Sequence, residues 1–257
     1  MTEPLTTALE RKAQPKAQKT VFDLIERMTP ELEKSLHSRE LVEALKRHYA
    51  TAIRLNPLLQ QCTADSLLAA LLLSAQVRLE PGPLGHVYIV PFKLQGVHQC
   101  VWILGYTGIL ELARRSERVA ACKARVVWDN DEFTFYEKDG DEHYELREGA
   151  EDERKERVCV VVSWRERAGG SWIKRNVKVP KSRIERAKAA SPAFKVKAGP
   201  WLTDETAMWA KTGIRCVRPW LPLTPEFAQA AAADEQVTLE VETDAYGAAQ
   251  ARLSEEP

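Results

Sequence analysis

The apolar positions in the first third of the chain recur at the spacing of α-helices. Residues 1–20 are mostly polar and predict a flexible basic arm, and the short helical run that follows ends at Pro30. A second helix is predicted over residues 39–55, where Asn56-Pro57 stops it. The predicted inner face of this helix comprises Leu41, Leu45, His48, Tyr49, Ala52 and Ile53.

A third helix, predicted over residues 65–79, is apolar on nearly every side. Thr63 is its predicted N-cap, because a threonine hydroxyl accepts a hydrogen bond from a first-turn amide. A helix without a polar face is usually buried at the centre of a fold or at a contact between subunits. Both locations are open for this helix.

The pattern then changes to the enrichment in β-branched and aromatic residues that is typical of strands. Residues 87–92 and 97–106 flank the Gln95-Gly96 turn and predict a β-hairpin, and a helix is predicted over 107–119. Further strands are predicted at 121–128, 133–137 and 143–148, before a solvated acidic loop at 148–156. The order predicts an α+β fold, in which N-terminal helices precede central antiparallel β-hairpins packed with helices.

Residues 158–179 predict a second hairpin, whose register is set by the Gly169-Gly170 turn. This turn pairs residue 167 with 172, and the pairing continues along both strands. Because side chains alternate, one face is apolar, with Arg175 as the exception, and the other is polar and basic. The predicted outward set is Ser163, Arg165, Arg167, Trp172, Lys174, Asn176 and Lys178. The predicted inward set is Val160, Val162, Trp164, Ile173, Val177 and Val179.

A basic helix is predicted over residues 203–218, after a short basic helix that follows Pro180. Lys211, Arg215 and Arg218 recur at spacings of four and three residues, so they line one face of the longer helix. The core is therefore predicted over residues 21–224. The acidic, alanine-rich residues 225–257 predict a partly disordered tail.

The net charge of zero hides a strong segregation of charge along the chain. The 37 basic and 37 acidic residues cancel in total, but residues 174–218 hold 12 basic and 3 acidic side chains, a net charge of +9. Residues 129–156 hold 4 basic and 13 acidic side chains, a net charge of −9. Because salt screens charges beyond about 10 Å, the local field decides whether a polyanion binds.

The sequence lacks the usual motifs of cofactor sites and enzymes. It contains no GxxxxGK[ST] loop, no GxGxxG after a strand and no GxSxG turn, so we expect no cofactor and no catalytic residues. The five scattered cysteines favour a reducing cytoplasm, and no apolar stretch is long enough to cross a membrane. The carboxylates of 129–132 suit a metal ion, but Asp and Asn also form turns, and we favour the turn.

The basic segments favour nucleic-acid binding, which requires rows of cations and aromatic rings that stack on bases. No recognition helix or RNP signature is present, which favours binding that does not depend on sequence. Two other functions stay open. One is a metal-dependent nucleic-acid enzyme that uses the carboxylates of 129–132, and the other is a scaffold protein whose basic block binds an acidic partner.

Several short segments, all in one order over roughly residues 40–224, resemble the RecT family of phage and prophage recombinases. The main matching segments are Leu79-Glu80-Pro81, Leu84-Gly85-His86, Val90-Pro91-Phe92, Gly105-Tyr106-Thr107-Gly108, Leu112-Ala113-Arg114-Arg115-Ser116, Val126 to Phe133, Gly199-Pro200-Trp201, Lys211-Thr212, Ile214-Arg215 and Trp220-Leu221-Pro222-Leu223. The chain departs from the family pattern at Thr107, Cys216 and Pro219, where a basic residue is common.

The resemblance implies an ATP-independent single-strand annealing protein of homologous recombination, which is a DNA-binding recombinase and not an enzyme. Such proteins form rings or helical filaments with DNA in a basic groove. The implied partners are single-stranded DNA, the annealed duplex, further copies of the chain, and a host single-strand binding protein or a partner exonuclease. The implied location is the cytoplasm of a bacterial host, at the nucleoid. Residues and resemblance together predict these DNA-binding residues: Arg114, Arg115, Arg165, Arg167, Trp172, Lys174, Lys178, Lys211, Thr212, Arg215 and Arg218.

Overall fold

The computed structural model describes residues 20–94, 96–195, 197, 200–222 and 224–233. The predicted arm, except Thr20, and most of the predicted tail lie outside these residues. The described part begins with four helices, which are α1 (Val21–Arg27), α2 (Thr29–Leu36), α3 (Arg39–Leu55) and α4 (Ala64–Val77). The predicted helix over 39–55 is confirmed, and Thr63 caps α4 by accepting a hydrogen bond from the Ser66 amide.

Two details of the N-terminal helices differ from the prediction. Pro30 lies in the first turn of α2, where its missing N–H removes no helical hydrogen bond. The sequence predicted only the end of a helix at Pro30, whereas a new helix begins there. Leu41 is 49% exposed, and Val42 and Lys46 lie on the buried face of α3 instead. Lys46 tolerates burial because its ammonium group binds Glu26 of α1 at 2.6 Å.

Helix α4 lies in the main hydrophobic core, which was one of the two locations left open for it. Its one buried polar side chain, Ser74, joins three elements. The Ser74 hydroxyl accepts a hydrogen bond from Trp102 Nε1 at 2.8 Å and shares another with the Tyr49 hydroxyl at 3.0 Å. Complete burial raises the pKa of Tyr49 well above its ordinary value, so the phenol stays neutral.

The strands are β1 (Val87–Leu94), β2 (Val97–Leu104), β3 (Val119–Trp128), β4 (Glu132–Lys138), β5 (Asp141–Arg147), β6 (Arg157–Ala168) and β7 (Ser171–Pro180). Helix α5 (Tyr106–Arg115) connects β2 to β3. Strands β1 and β2 form the predicted hairpin, β4 and β5 form another, and a three-stranded antiparallel sheet has the order β3-β6-β7. The α+β prediction is confirmed.

The C-terminal helices are α6 (Lys181–Ala190), α7 (Pro192–Lys195), α8 (Pro200–Thr203), α9 (Glu205–Val217) and α10 (225–233). Helix α9 packs on the three-stranded sheet at Gly213, where an added Cβ would lie only 2.6 Å from Val160 Cγ1. Phe227 of α10 is fully buried in the main core, so the packed part of the chain extends beyond residue 224. None of the helices in the described ranges has the length and apolar character needed to cross a membrane.

The three-stranded sheet has two different faces. The inner face, with Val160 and Val162, packs against α9. The outer face carries the odd-numbered residues of β6 from Cys159 to Arg167 and their partners on β7, and its end near Val161 is covered by the β4–β5 hairpin. The predicted register of β6 and β7 is confirmed at every pair.

The prediction that Ser163 and Asn176 face solvent is wrong, because β5 covers them. Asn176 is 4% exposed and donates from Nδ2 to the Glu142 carbonyl at 2.6 Å, while its Oδ1 accepts from the Ser163 hydroxyl. A buried amide needs such partners, and β5 supplies a main-chain acceptor.

We expect Ser74→Ala to lower the free energy of unfolding by about 1–3 kcal/mol, because the buried Tyr49 hydroxyl and Trp102 N–H lose their partner. Urea unfolding monitored by tryptophan fluorescence measures the change. Ser182→Ala, at an exposed position of α6, is the matched control and should leave stability unchanged. A Ser74→Ala protein as stable as the wild type would contradict the role of this network.

Candidate nucleic-acid interface

Two glycine-containing segments pack against each other where β1 begins and α5 begins. We call residues 85–86 and 105–108 the glycine junction. The Gly105 amide donates to the His86 carbonyl at 2.9 Å, and the Thr107 hydroxyl donates to the Gly85 carbonyl at 2.6 Å. A Cβ on Gly105 would overlap the Gly85 carbonyl oxygen, and one on Gly108 would overlap the His86 carbonyl oxygen. The backbones therefore meet at a distance that only glycine allows.

Helix α9 brings two basic side chains to this junction. Arg215 Nη1 donates to the Leu104 carbonyl at 2.9 Å, directly before the N-cap of α5. Lys211 Nζ lies 5.7 Å from the centroid of the Tyr88 ring, a cation–π distance. The N-cap Gly105 has no side chain to bond the first-turn amides of α5, so the positive end of that helix faces the same region.

The other residues predicted on α9 differ in their surroundings. Thr212 is 6% exposed and lies inside the fold. Arg218 begins the turn Arg218–Trp220 that ends α9. Trp201 and Trp209 are buried in the core, whereas Tyr106 is 36% exposed at the junction.

The two arginines of segment 112–116, Arg114 and Arg115, also differ in their contacts. Arg115 donates to the carbonyls of Val77 and Arg78 and pairs with Glu111, so it caps the C-terminal end of α4. Arg114 is exposed, and its Nε donates to the Leu110 carbonyl within α5. The structure thus gives Arg115 a clear role in holding two helices together.

The outer face of the β6–β7 hairpin carries the second predicted basic surface. Arg165 and Arg167 are exposed, and Trp172, opposite Arg167, is 48% exposed. Lys174 Nζ lies 4.9 Å from the centroid of the Tyr144 ring, and Lys178 Nζ lies 5.3 Å from that of Phe135. The two lysines therefore border the β4–β5 hairpin, while the arginines and the tryptophan extend beyond it.

Two further basic residues on this face were missed by the sequence prediction. Lys123 pairs with Ser163 and Arg125 with Val161, so both lie on the outer face. Their alternation with Ala124 and Val126 indicates that both lie on one face of β3. The sequence does not show that β3 lies beside β6, because strand order comes only from the structure.

The structure does not join the two predicted basic surfaces within one subunit. Helix α9 lies against the inner face of the sheet, whereas Arg165, Arg167 and Trp172 lie on the outer face. The two predicted basic surfaces follow one another in the sequence, and the sheet lies between them.

The carboxylates of 129–132 form a turn, as the sequence favoured. Asp129 accepts hydrogen bonds from the Lys155 and Glu156 amides, and these bonds hold the pKa of its carboxyl below the ordinary value. Asp131 accepts from the amides of Trp128 and Gly149. Across the described ranges, no group of three or more His, Cys, Asp or Glu side chains is arranged to hold a metal ion.

Comparison with known proteins identifies the family. The model of the RecT family matches residues 38–246, which is most of the chain. The chain belongs to the RecT family. Protein RecT of Escherichia coli (strain K12) is 34% identical to this RecT-family chain over 220 residues, which cover 84% of the chain and 79% of the relative. Membership of the RecT family implies single-strand annealing in DNA recombination.

We expect Gly108→Ala to destabilise the fold by about 1–3 kcal/mol, because its methyl group would overlap the His86 carbonyl. Thermal unfolding followed by circular dichroism measures this effect. Gly82→Ala is the matched control, since its Cβ would have no atom within 4 Å. Equal melting temperatures for the two variants would refute the steric explanation of the glycine junction.

Proposed function

We propose that the protein binds single-stranded DNA and anneals complementary strands without ATP, as an oligomer that holds DNA in a basic groove. One observation carries the proposal beyond family membership. Three segments that resemble the RecT family, at 84–86, 105–108 and 211–215, converge at the glycine junction. Together they present Lys211 and the amides that open α5, beside the exposed ring of Tyr88 on β1.

The junction has the chemistry that a phosphate backbone requires. The Lys211 ammonium group and the positive end of α5 neutralise phosphates and release their counterions. Tyr88 and Tyr106 are 44% and 36% exposed, and their rings offer surfaces for bases. A strand held by its phosphates keeps its bases available for a complementary strand. Correct pairing then supplies about 1.4 kcal/mol per step, so ATP is not required.

The proposed partners follow from the same reaction. They are single-stranded DNA, the annealed duplex and further copies of the chain, in a ring or a helical filament. Leu41, Leu55 and Leu58 are 49%, 80% and 48% exposed on and after α3, and such side chains support a contact between copies. A host single-strand binding protein or a partner exonuclease is the last proposed partner. The proposed location of the protein is the cytoplasm, at the nucleoid.

The direct test mixes two complementary labelled oligonucleotides with the purified protein in the absence of any nucleotide cofactor. We expect duplex formation well above the spontaneous rate, with rings or filaments visible by electron microscopy. Metal-dependent shortening of the oligonucleotides would favour a nuclease. Absence of single-strand binding at moderate salt would favour a scaffold protein with an acidic partner.

We expect Lys211→Gln to weaken single-strand binding and to lower the slope of log affinity against log salt by about 0.7, the value for one phosphate contact. Fluorescence anisotropy with a labelled oligonucleotide at several salt concentrations measures both quantities. Arg215 is not used for this test, because its guanidinium group also supports the Leu104 carbonyl. Lys93→Gln removes an exposed lysine elsewhere on β1 and should bind as the wild type does. An unchanged salt slope in Lys211→Gln would exclude this lysine as a phosphate contact.

A further inference from the structure

We propose that the exposed basic surface of α6 and α7, formed by Arg183, Arg186 and Lys195, is a docking site for this chain's own acidic segment, residues 234–257. The docked segment neutralises this surface and shields it from other polyanions. The inference goes beyond the proposed function, because it concerns a contact within the chain and does not require that the protein binds DNA.

The first argument is that these three cations have no counter-charge in the structure. Residues 181–195 hold five basic side chains and one acidic side chain, a net charge of +4. Arg183, Arg186 and Lys195 are exposed, and none of them forms an ion pair with another described residue. Like charges on neighbouring positions of a helix repel each other, so an anion bound at this surface would stabilise it.

The acidic side chains that reach α6 from the described part of the chain already pair with other cations. Lys181 Nζ lies 3.1 Å from a carboxylate oxygen of Glu156. The Glu205 carboxylate binds both Lys188 and Arg157. The three exposed cations therefore need a carboxylate from another part of the chain.

The second argument is the charge of the segment that follows α10. Residues 234–257 hold seven acidic side chains and one basic side chain, a net charge of −6. The first 11 of these residues contain no Lys or Arg and hold five of the carboxylates, those of Asp234, Glu235, Glu240, Glu242 and Asp244. The charges of the segment and of the basic surface are thus opposite in sign and similar in size.

The third argument begins with the position of α10, which lies against α4 and α5. Gln229 Nε2 of α10 donates to Gln76 Oε1 of α4 at 2.6 Å. Hydrogen bonds from its own amide and from Thr224 lower the pKa of the Glu226 carboxyl, and the positive charge of Arg115 in α5 also contributes. The acidic segment therefore follows a helix that is held beside α4 and α5.

The distance from α10 to the basic surface matches the length of the acidic segment. Helix α9 contacts both α5 and α6. Packed helices lie about 8–10 Å apart, so α6 is on the order of 30 Å from α10. Glu240, Glu242 and Asp244 follow the end of α10 by 7 to 11 residues, which corresponds to about 23–36 Å of extended chain. These three carboxylates can therefore reach the cations of α6 and α7.

The covalent connection makes such a contact effective although each ion pair is weak. An exposed ion pair contributes little to stability by itself. Because the segment belongs to the same chain, its effective concentration at the basic surface is on the order of millimolar, and several pairs form together. Salt at about 1 M screens charges beyond about 3 Å, so it should release the segment.

The test is limited proteolysis of the full-length protein at low salt with a glutamate-specific protease. Mass spectrometry follows cleavage after Glu240 and Glu242. Docking protects these peptide bonds, so we expect slow cleavage in the wild type. Arg183→Ser/Arg186→Ser/Lys195→Ser should raise the cleavage rate about tenfold, because the protease cleaves only the released segment.

Arg39→Ser/Lys93→Ser/Lys138→Ser is the matched control, because it removes the same positive charge from exposed positions outside α6 and α7. Its cleavage rate should equal that of the wild type. Circular dichroism confirms that each variant keeps its fold.

A second measurement changes the acidic side of the contact. Glu240→Gln/Glu242→Gln uncovers the basic surface, so this full-length variant should elute from a heparin column at a higher salt concentration than the wild type. Glu33→Gln/Glu40→Gln removes the same charge from exposed positions of α2 and α3 and should shift the elution much less. When either pair is combined with the three serine substitutions in α6 and α7, the two shifts should become equal, because the docking contact is then already lost.

Equal cleavage rates in the wild type and in a folded serine variant would overturn the inference, and so would equal elution shifts for the two glutamine variants. Protection that disappears on dilution would also overturn it, because the segment would then dock on a neighbouring copy. Failure of the wild-type protein to anneal oligonucleotides would instead contradict the proposed function, and it would leave the proteolysis and heparin results unaffected.

Discussion

The close approach of α9 to the central sheet is the constraint on which the rest of the structure depends. Gly213 allows this approach, because any side chain at that position would collide with Val160. With α9 held there, Arg215 reaches the Leu104 carbonyl and Lys211 reaches Tyr88. The position of one glycine in a helix therefore determines which basic groups meet the glycine junction. Gly105 and Gly108 of that junction likewise allow α5 to lie close to residues 85–86.

The covering of the outer face by the β4–β5 hairpin depends on a second feature, the turn at 128–131. Asp129 accepts a hydrogen bond from the Lys155 amide and Asp131 accepts one from the Gly149 amide, both after β5, and the Trp128 ring lies 4.8 Å from the Arg157 guanidinium group. Arg157 also binds Glu205 and Thr206 in the first turn of α9. Carboxylates that suit a metal ion in the sequence thus hold the turn before β4, and Arg157 connects Trp128 of this turn to α9.

Local patterns predicted much of the fold, and the failures have a common physical origin. The bounds of α3, the cap of α4 and the register of β6 with β7 depend on neighbours in sequence, and all were predicted. The burial of Asn176 and the capping of α4 by Arg115 depend on partners 34 and 38 residues away. The family resemblance placed Arg115 and Arg215 among the predicted DNA contacts, whereas only the fold shows that both bind main-chain carbonyls. Lys123 and Arg125 were missed because strand order is a tertiary property.

The separation of the two basic surfaces by the sheet has a consequence for how the sequence can vary. Helix α9 packs on the inner face at Gly213, whereas Arg165, Arg167 and Trp172 lie on the outer face. Because distant positions without shared partners affect stability independently, a substitution on one surface leaves the geometry of the other unchanged. The two surfaces of this sheet can therefore change separately without loss of the fold.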